Sequence, residues 1–486
     1  MEKYLYGAEI HGIQDFIFST NKLKEMVGAS QLIKDFPKKI VANLVSEKEI
    51  IQQAAGGIKC ILNKKKCQQL YRELPLQLAE FAPTVSLSQY IIAVPDAIEK
   101  DHFDALQAGL DAQRQQSFPS LYNGLMGIQI ARDTGKAETD KIGVDYLDKA
   151  AAKKRRYAQQ NDLSQIYQIQ DYAVTYPLNL EELVKDNQAS DNWIAVIHAD
   201  GNNLGKTIRR IIDAVKEEPN WHEKLTQFSE LLEVATTKAY ETAVIATFGE
   251  QLMRNASKNP LPIRPVILGG DDLTLIIDAD YALTFLAYYL EAFEVETRTQ
   301  LSKLEVGIVL DGFTACGGIA YTKTKFPFHY GVHLAEELCK EAKNRSKAQL
   351  ANPTDKVASC LMFHRIRDAI FENYEAIKER ELSFSDIAMD AGPYVIGDAH
   401  PHFSTIKALK SSLHLLKTTK GLPAHLRQWI TELRYSPARA GLILDRLKQT
   451  AKSKLSDLNL EKEIEHKQSR IYDLLNLYAI ETSSKT

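Results

Sequence analysis

Cysteine is scarce in this chain of 486 residues. There are five (Cys60, Cys67, Cys316, Cys339 and Cys360), with no C-x-x-C pair among them. That removes the usual signature of zinc held by thiolates, and an odd count without a secretory leader is what a reducing cytoplasm allows. Long apolar runs are missing as well: none approaches the roughly 20 residues of a membrane span, so no membrane partner is expected. Charge of one sign is not in excess either. With a formal net charge of −3, no global basic field draws the chain to nucleic acid, and any such contact has to come from local patches. What remains is a folded-protein composition, 44% hydrophobic and 25% charged, at a length that suits two to four domains.

Against that background Gly269-Gly270-Asp271-Asp272 is informative. It lies between two apolar runs, Pro265–Leu268 and Leu273–Ile277. A strand, a two-glycine turn and a second strand would fix two adjacent carboxylates at a hairpin tip. Adjacent like charges are costly unless a cation neutralises them, and magnesium favours oxygen ligands between carboxylates and substrate phosphates. Asp and Gly are also common in solvated turns, so this motif alone leaves both readings open.

A second segment narrows the choice. Trp193–Asp200 reads as a buried strand ending in an acid, and it runs into Gly201-Asn202-Asn203-Leu204-Gly205, a turn that opens a helix. Backbone N–H groups at such a turn suit phosphate, and Lys206 and Arg209 add charge in the first turns. Asp200 at one strand end and Asp271 at a neighbouring hairpin would form a carboxylate pair for two divalent ions, Mg2+ or Mn2+. This is the layout of two-metal nucleotidyl transfer.

The order of elements is expected to repeat. Strand 3–10, a helical stretch 13–44 broken at Gly28, the pair 50–55 and 58–62 around Gly56-Gly57, a helix 65–80, strand 85–94 and a helix 96–116 make β-α-β-β-α-β. The second half repeats it: strand 193–200, helices 204–216 and 222–251, hairpin strands 264–268 and 273–279, a helix 281–304, strand 316–322 and a helix 328–348. The expected fold class is α+β: two ferredoxin-like units followed by a C-terminal helical domain. The expected divisions are 1–117, 118–190 (a helical or irregular linker), 191–350 and 351–486, the last mainly helical from Ser359. The first unit has Ile58 and Lys59 where the second has Asp271 and Asp272, so it is a degenerate partner. The run Lys153-Lys154-Arg155-Arg156 reads chiefly as a solvated helix face, with a nucleic-acid contact as the minor alternative. His400 and His402 read as part of a proline-broken surface loop more than as a metal site.

The chain resembles the large palm-polymerase subunit of type III CRISPR effector complexes, the Cas-ten or Cmr-two family. The resemblance rests on Gly12–Phe18 continuing to Gly28-Ala29-Ser30, on His198–Gly205, on Gly269–Asp272 and on the helix Phe328–Lys347, in the family's order. A looser likeness covers 359–450. It implies conversion of ATP into cyclic oligoadenylates for antiviral defence, with Asp200, Asp271 and Asp272 as metal-holding catalytic residues. It also implies that Gly201, Asn202, Asn203, Leu204, Gly269, Gly270 and Lys343 lie against the nucleotide; Lys340 and Lys347, at i−3 and i+4 from Lys343, form a basic stripe on its helix face that reads equally as a phosphate contact or a solvated surface. The partners it implies are ATP, guide RNA and other type III subunits, or a second copy of the chain if it acts alone.

The chain opens directly on the palm, where many family members begin with an HD nuclease domain, so DNA cleavage by that route is not expected. A cysteine-rich zinc module between the palms is also absent. Two other readings stay open: a scaffold subunit of a guide-RNA complex with little or no turnover, and a stand-alone cyclic dinucleotide synthase. GGDD also resembles the GGDEF signature of diguanylate cyclases, from which Leu273 departs.

Overall fold

A computed structural model describes residues 3–54, 56–95, 100–116, 127–132, 134–161, 167–169, 172, 174–184, 192–215, 217–218, 221–253, 260–352, 355–367, 373–384 and 387–483. The first unit contains β1 (Lys3–His11), α1 (Ile13–Phe18), α2 (Leu23–Phe36), α3 (Ala42–Leu44), β2 (Ile50–Ala54), β3 (Gly57–Asn63), α4 (Lys64–Phe81), β4 (Ser86–Val94) and α5 (Lys100–Arg114). Its sheet runs β2-β3-β1-β4 and is antiparallel throughout. β3 alternates buried and half-buried residues, as a strand with one face on the core must. Asn63 then starts α4, its side chain accepting the Lys66 N–H at 2.9 Å. Of the helix expected over 96–116, residues 96–99 lie outside the described set.

The break expected at Gly28 falls elsewhere. The chain turns between Phe18 and Leu23, and Gly28 sits inside α2. Its missing side chain serves packing, because a Cβ there would lie 2.7 Å from the carbonyl oxygen of Lys154 on a neighbouring helix.

That neighbour belongs to the linker, whose described parts include β5 (Asp140–Ile142), β6 (Asp145–Leu147) and α6 (Lys149–Gln160). The expectations for 117–126, 162–166 and 185–191 lie outside the described residues. The basic run on α6 is only partly a solvated face: Arg156 is exposed and Lys153 half-buried, but the middle two residues turn inward. Lys154 is buried, with its ammonium donating to the Phe16 carbonyl and, at 2.8 Å, to Ser19 Oγ. Arg155 is buried between Glu25 (2.8 Å) and Asp145 (2.6 Å), and Arg156 pairs with Asp140. Helical spacing carries Lys154 and Arg155 inward, Arg155 against acids that sequence order does not reveal.

The second unit contains β7 (Trp193–Gly201), α7 (Leu204–Val215), α8 (Trp221–Met253), β8 (Ile263–Gly269), β9 (Asp272–Asp278), α9 (Ala279–Leu301), β10 (Ala315–Lys323) and α10 (Phe328–Ala348). Its strands run β10-β7-β9-β8, the same order, first to fourth, as in the first sheet. β7 is central and apolar almost throughout, whereas β8 is the edge strand and carries Pro265 at an irregularity in its register. The repeated α+β pattern is therefore a repeated topology.

The region after Ser359 departs from the mainly helical expectation. β11 (Cys360–Arg365) pairs in parallel with β10. After α11 (Tyr374–Glu381) and the small ladder of β12 (Ser383–Phe384) with β13 (Ile387–Ala388), β14 (Tyr394–Val395) pairs with β11. The second sheet thus has six strands. Helices follow only from there: α12 (Ile406–Thr418), α13 (Leu422–Tyr435), α14 (Pro437–Asp457), α15 (Leu460–Glu465) and α16 (Ile471–Ser483). One hydrophobic cluster joins both units and these helices. Between the two units, Thr226 Oγ1 donates to the Ile51 carbonyl (3.1 Å) and Asn21 accepts the Phe328 N–H (3.1 Å). No described helix is long and apolar enough to cross a membrane.

Candidate active site

Asp200 is the penultimate residue of β7, opposite Cys316 of β10. On the other side of β7, Ala199 pairs with Leu273 of β9, so the hairpin tip lies beside Asp200. Gly270 makes that tip with a φ of 62°, a left-handed conformation that favours glycine, and Asp272 pairs back onto Gly269. Gly269 itself meets nothing that a Cβ would touch. The Thr236 hydroxyl of α8 donates to the Gly270 carbonyl and ties the tip down. As a result, Asp200, Asp271 and Asp272 each offer a carboxylate oxygen within 4.8 Å of the others.

Such crowding has an electrostatic cost. Burial, Asp272 and Asp200 together raise the pKa of Asp271 well above the ordinary carboxylate range. Asp272 is pushed up to about 7 by burial, then by Asp200, with Glu336 adding to the rise and the Lys343 charge opposing it. A counter-charge in contact with the triad comes from Lys343 of α10. Its ammonium donates to Asp200 Oδ2 and, at 2.8 Å, to the Gly201 carbonyl. Burial lowers the Lys343 pKa, but the bond to Asp200 outweighs it and the group stays cationic. Hard carboxylate oxygens this close together, short of positive charge, fit magnesium or manganese by donor type and spacing.

The turn after Asp200 divides into two roles. Gly201 leaves room: a Cβ there would sit 2.9 Å from the Cβ of Asp271 and 3.1 Å from its Oδ2. Asn202, expected against the nucleotide, is instead buried. Its N–H is taken by the Thr314 carbonyl (2.8 Å), and its amide donates to Thr314 Oγ1 (3.0 Å) and toward Cys316 Sγ (3.4 Å). It anchors the turn and has no donor left for a ligand. Asn203 takes a φ of 63°, which Asn tolerates better than most residues, and Leu204 begins α7. The N–H groups of the first helical turn have no partner within the helix. Lys206 and Arg209 are exposed on α7, and Lys340 and Lys347 are exposed on α10; of the expected basic stripe only Lys343 reaches the carboxylates.

Four residues near the triad were given no role in the sequence reading. Glu336 lies seven residues before Lys343 on α10 and so on the same helix face. Its pKa rises to about 7 through burial, Asp15 and Glu337, and its Oε1 is buried without a hydrogen-bond partner among the described residues. Burial holds the His198 imidazole down to about 4, hence neutral, with Nδ1 3.0 Å from Thr274 Oγ1. Tyr289 of α9 is fully buried, and its hydroxyl likewise has no partner among the described residues. Thr236 is the fourth. Nothing in local pattern marks any of them, because their place depends on which helix packs on the sheet. His400 and His402 lie in a loop outside this cluster, and Asp200, Asp271 and Asp272 form the one described group of three or more potential metal ligands.

By sequence, residues 193–351 match the family model of Cas10/Cmr2, second palm domain. No curated protein sequence matches the chain. Among solved structures, the fold is similar to Csm1 in T. onnurineus, with a TM-score of 0.52 and 15% identity over 98% of this chain and 70% of that one. It is similar to a Csm1-Csm4 cassette in complex with cA4, with a TM-score of 0.53 and 13% identity over 99% and 69%. A Csm1-Csm4 cassette in complex with AMPPNP gives a TM-score of 0.52 and 14% identity over 100% and 70%. At these identities the likeness is one of fold.

Proposed function

We infer, from a chain whose residues 193–351 carry a Cas10/Cmr2-type second palm, that it is a nucleotidyltransferase converting ATP into cyclic oligoadenylates as the large subunit of a type III CRISPR system. The observation that carries this reading is the approach of Asp200, Asp271 and Asp272 to within 4.8 Å at one end of a palm sheet, with Lys343 beside them. Structures of the same fold with cA4 and AMPPNP support nucleotide as the substrate class. Neighbours that pair Csm1 with Csm4 support assembly with further subunits.

In this reading the three aspartates hold a pair of Mg2+ or Mn2+ ions. Bound there, such ions would lower the pKa of a 3′-hydroxyl and neutralise a leaving pyrophosphate. The chain's own groups do the positioning. Gly201 keeps the space over Asp271 open, the Thr236 bond holds the hairpin tip, and Lys343 supplies a charge beside the phosphates. The open N–H groups at the start of α7 face a polyanion favourably. No side-chain nucleophile is needed, since phosphoryl transfer rests on alignment and charge neutralisation. The first unit, residues 1–117, provides the opposing wall. Lys59, which follows the Gly56-Gly57 pair as Asp272 follows Gly269-Gly270 in sequence, lies inside β3, reaches Gln107 at 3.4 Å and offers no metal ligand.

The test is incubation of the pure protein with each NTP and magnesium, with products identified by mass spectrometry. Oligoadenylate from ATP, absent in the Asp271→Ala/Asp272→Ala variant, is the expected result. Product formation that persists in the double variant refutes the assignment.

A further inference from the structure

Cys316 of β10 is the register partner of Asp200 on one side and of Cys360 of β11 on the other. Both cysteines are free thiols and fully buried. Partners on neighbouring strands stand about 4.8 Å apart with their side chains on one face. That lies inside the roughly 4.4–6.8 Å between Cα atoms that a disulfide spans. The two sulfurs are already 3.6 Å apart. A third buried thiol, Cys339 of α10, is turned elsewhere, its S–H donating to the Cys316 carbonyl at 3.1 Å.

Each sulfur of the pair also touches a close neighbour of a site residue. Cys316 Sγ lies 3.4 Å from Asn202 Nδ2 and 3.5 Å from its Oδ1, to which the thiol donates. Asn202 anchors the turn that carries Asp200 and Gly201. The Cys360 thiol donates to the Ala342 carbonyl at 3.6 Å, one residue before Lys343. Asp200 and Lys343 form the ion pair at the site, so the two thiols hold the backbone on both sides of that pair.

We propose that Cys316 and Cys360 are an oxidisable thiol pair, closed to a disulfide by a peroxide, and that closure loosens the turn carrying Asp200. Hydrogen peroxide oxidises one thiol to a sulfenic acid, its O–O bond breaking and one water leaving. The other thiol then attacks that sulfur, the S–S bond forms and the hydroxyl leaves as a second water. The thiols give up two electrons and two protons, and the peroxide takes both. Neither sulfur can donate afterwards, so the bonds to Asn202 Oδ1 and to the Ala342 carbonyl are lost. Closing from 3.6 Å to the roughly 2.0 Å of an S–S bond re-aims both side chains. Burial shuts out bulky oxidants and leaves a water-sized peroxide as the reagent. The bond and the loosened turn do not depend on the nucleotidyltransferase reading; an effect on turnover does.

The experiment treats the folded protein with hydrogen peroxide, alkylates the remaining thiols after denaturation, and reads linked peptides by mass spectrometry. A Cys316–Cys360 linkage should form, disappear with dithiothreitol, persist in Cys339→Ala and be absent from Cys316→Ala and Cys360→Ala. Hydrogen exchange on the same samples reads the turn. Amides over 199–204 should exchange about five-fold faster on oxidation, the effect of losing one hydrogen bond, and should not respond to peroxide in Cys360→Ala. No linkage, a linkage through Cys339, or a Cys316–Cys360 bond with unchanged exchange over 199–204 would each overturn the proposal. ATP turnover should fall at least about 10-fold on oxidation and return with dithiothreitol. Linkage and faster exchange in a protein without turnover even when reduced would support the thiol pair and count against the enzymatic reading alone.

Discussion

A methyl group on Gly201 would lie 2.9 Å from the Cβ of Asp271, closer than such atoms sit without something shifting. Gly201→Ala should therefore displace the Asp271 carboxylate while sparing the core. Ångström-scale misplacement costs up to about 100-fold in rate, so a loss of at least about 10-fold in ATP turnover is expected, with an unchanged circular dichroism spectrum. Wild-type turnover would show that Asp271 has room to spare. Tyr289 behaves oppositely. Its buried hydroxyl has no partner among the described residues, and such a group costs about 1–3 kcal/mol. Tyr289→Phe should raise stability by about 1 kcal/mol in chemical denaturation, and a drop would mean that the hydroxyl has a partner in solution. That Asp200 meets Asp271 and Asp272 was legible because each acid ends a buried strand or a two-glycine turn, whereas Lys343 came only from the family resemblance; the structure brings all four together. Asn202 was expected at the nucleotide from its place in a turn; that its amide faces inward to Thr314, just before β10, depends on a tertiary contact that no local pattern shows.

Elements were legible where periodicity is strong and misplaced where tertiary packing decides. β7 and the β8–β9 hairpin read clearly as buried apolar runs around turn residues. Gly28 looked like a helix breaker but is a contact point for α6, a role that no local pattern distinguishes. β11, six residues long, was taken into a helical region because a short apolar run suits either state until a neighbouring strand is known. The chain beyond β11 returns to hold α10 as well. Arg345, two residues beyond Lys343, makes a bidentate contact with the buried Asp390, bonds the Gly392 carbonyl at 2.9 Å, and shares Asp390 with the Tyr374 hydroxyl. Removing one partner of such a pair leaves a poorly solvated charge and costs about 3–5 kcal/mol. Asp390→Ala should lower stability by about 3 kcal/mol in urea unfolding; a change below about 1 kcal/mol would contradict a latch between α10 and the segment joining β13 to β14.

At the scale of the molecule, two sheets of the same strand order share one core, and only the second carries acids at its hairpin tip. Those acids tie global stability to pH and metal. The Asp272 carboxyl, at about 7 when folded, is ordinarily near 4 when unfolded. The folded state therefore binds more protons between these values. The contribution is fully present below about pH 4 and is lost as pH rises through about 7. Asp271 acts in the same direction. Divalent ions bind the deprotonated form, so the rise in melting temperature produced by magnesium should grow from pH 5 to pH 8. It should vanish in Asp271→Ala/Asp272→Ala. A magnesium effect independent of pH, or retained in that variant, would place the ion elsewhere.

Crystals soaked with Mn2+ and a non-hydrolysable ATP analogue, with data collected at the manganese absorption edge, test the site itself. The account predicts two anomalous peaks about 3.5–4 Å apart, both bounded by Asp200, Asp271 and Asp272, with Lys343 beside the phosphates. A nucleotide bound without manganese between those carboxylates, or peaks held by other residues, would contradict it.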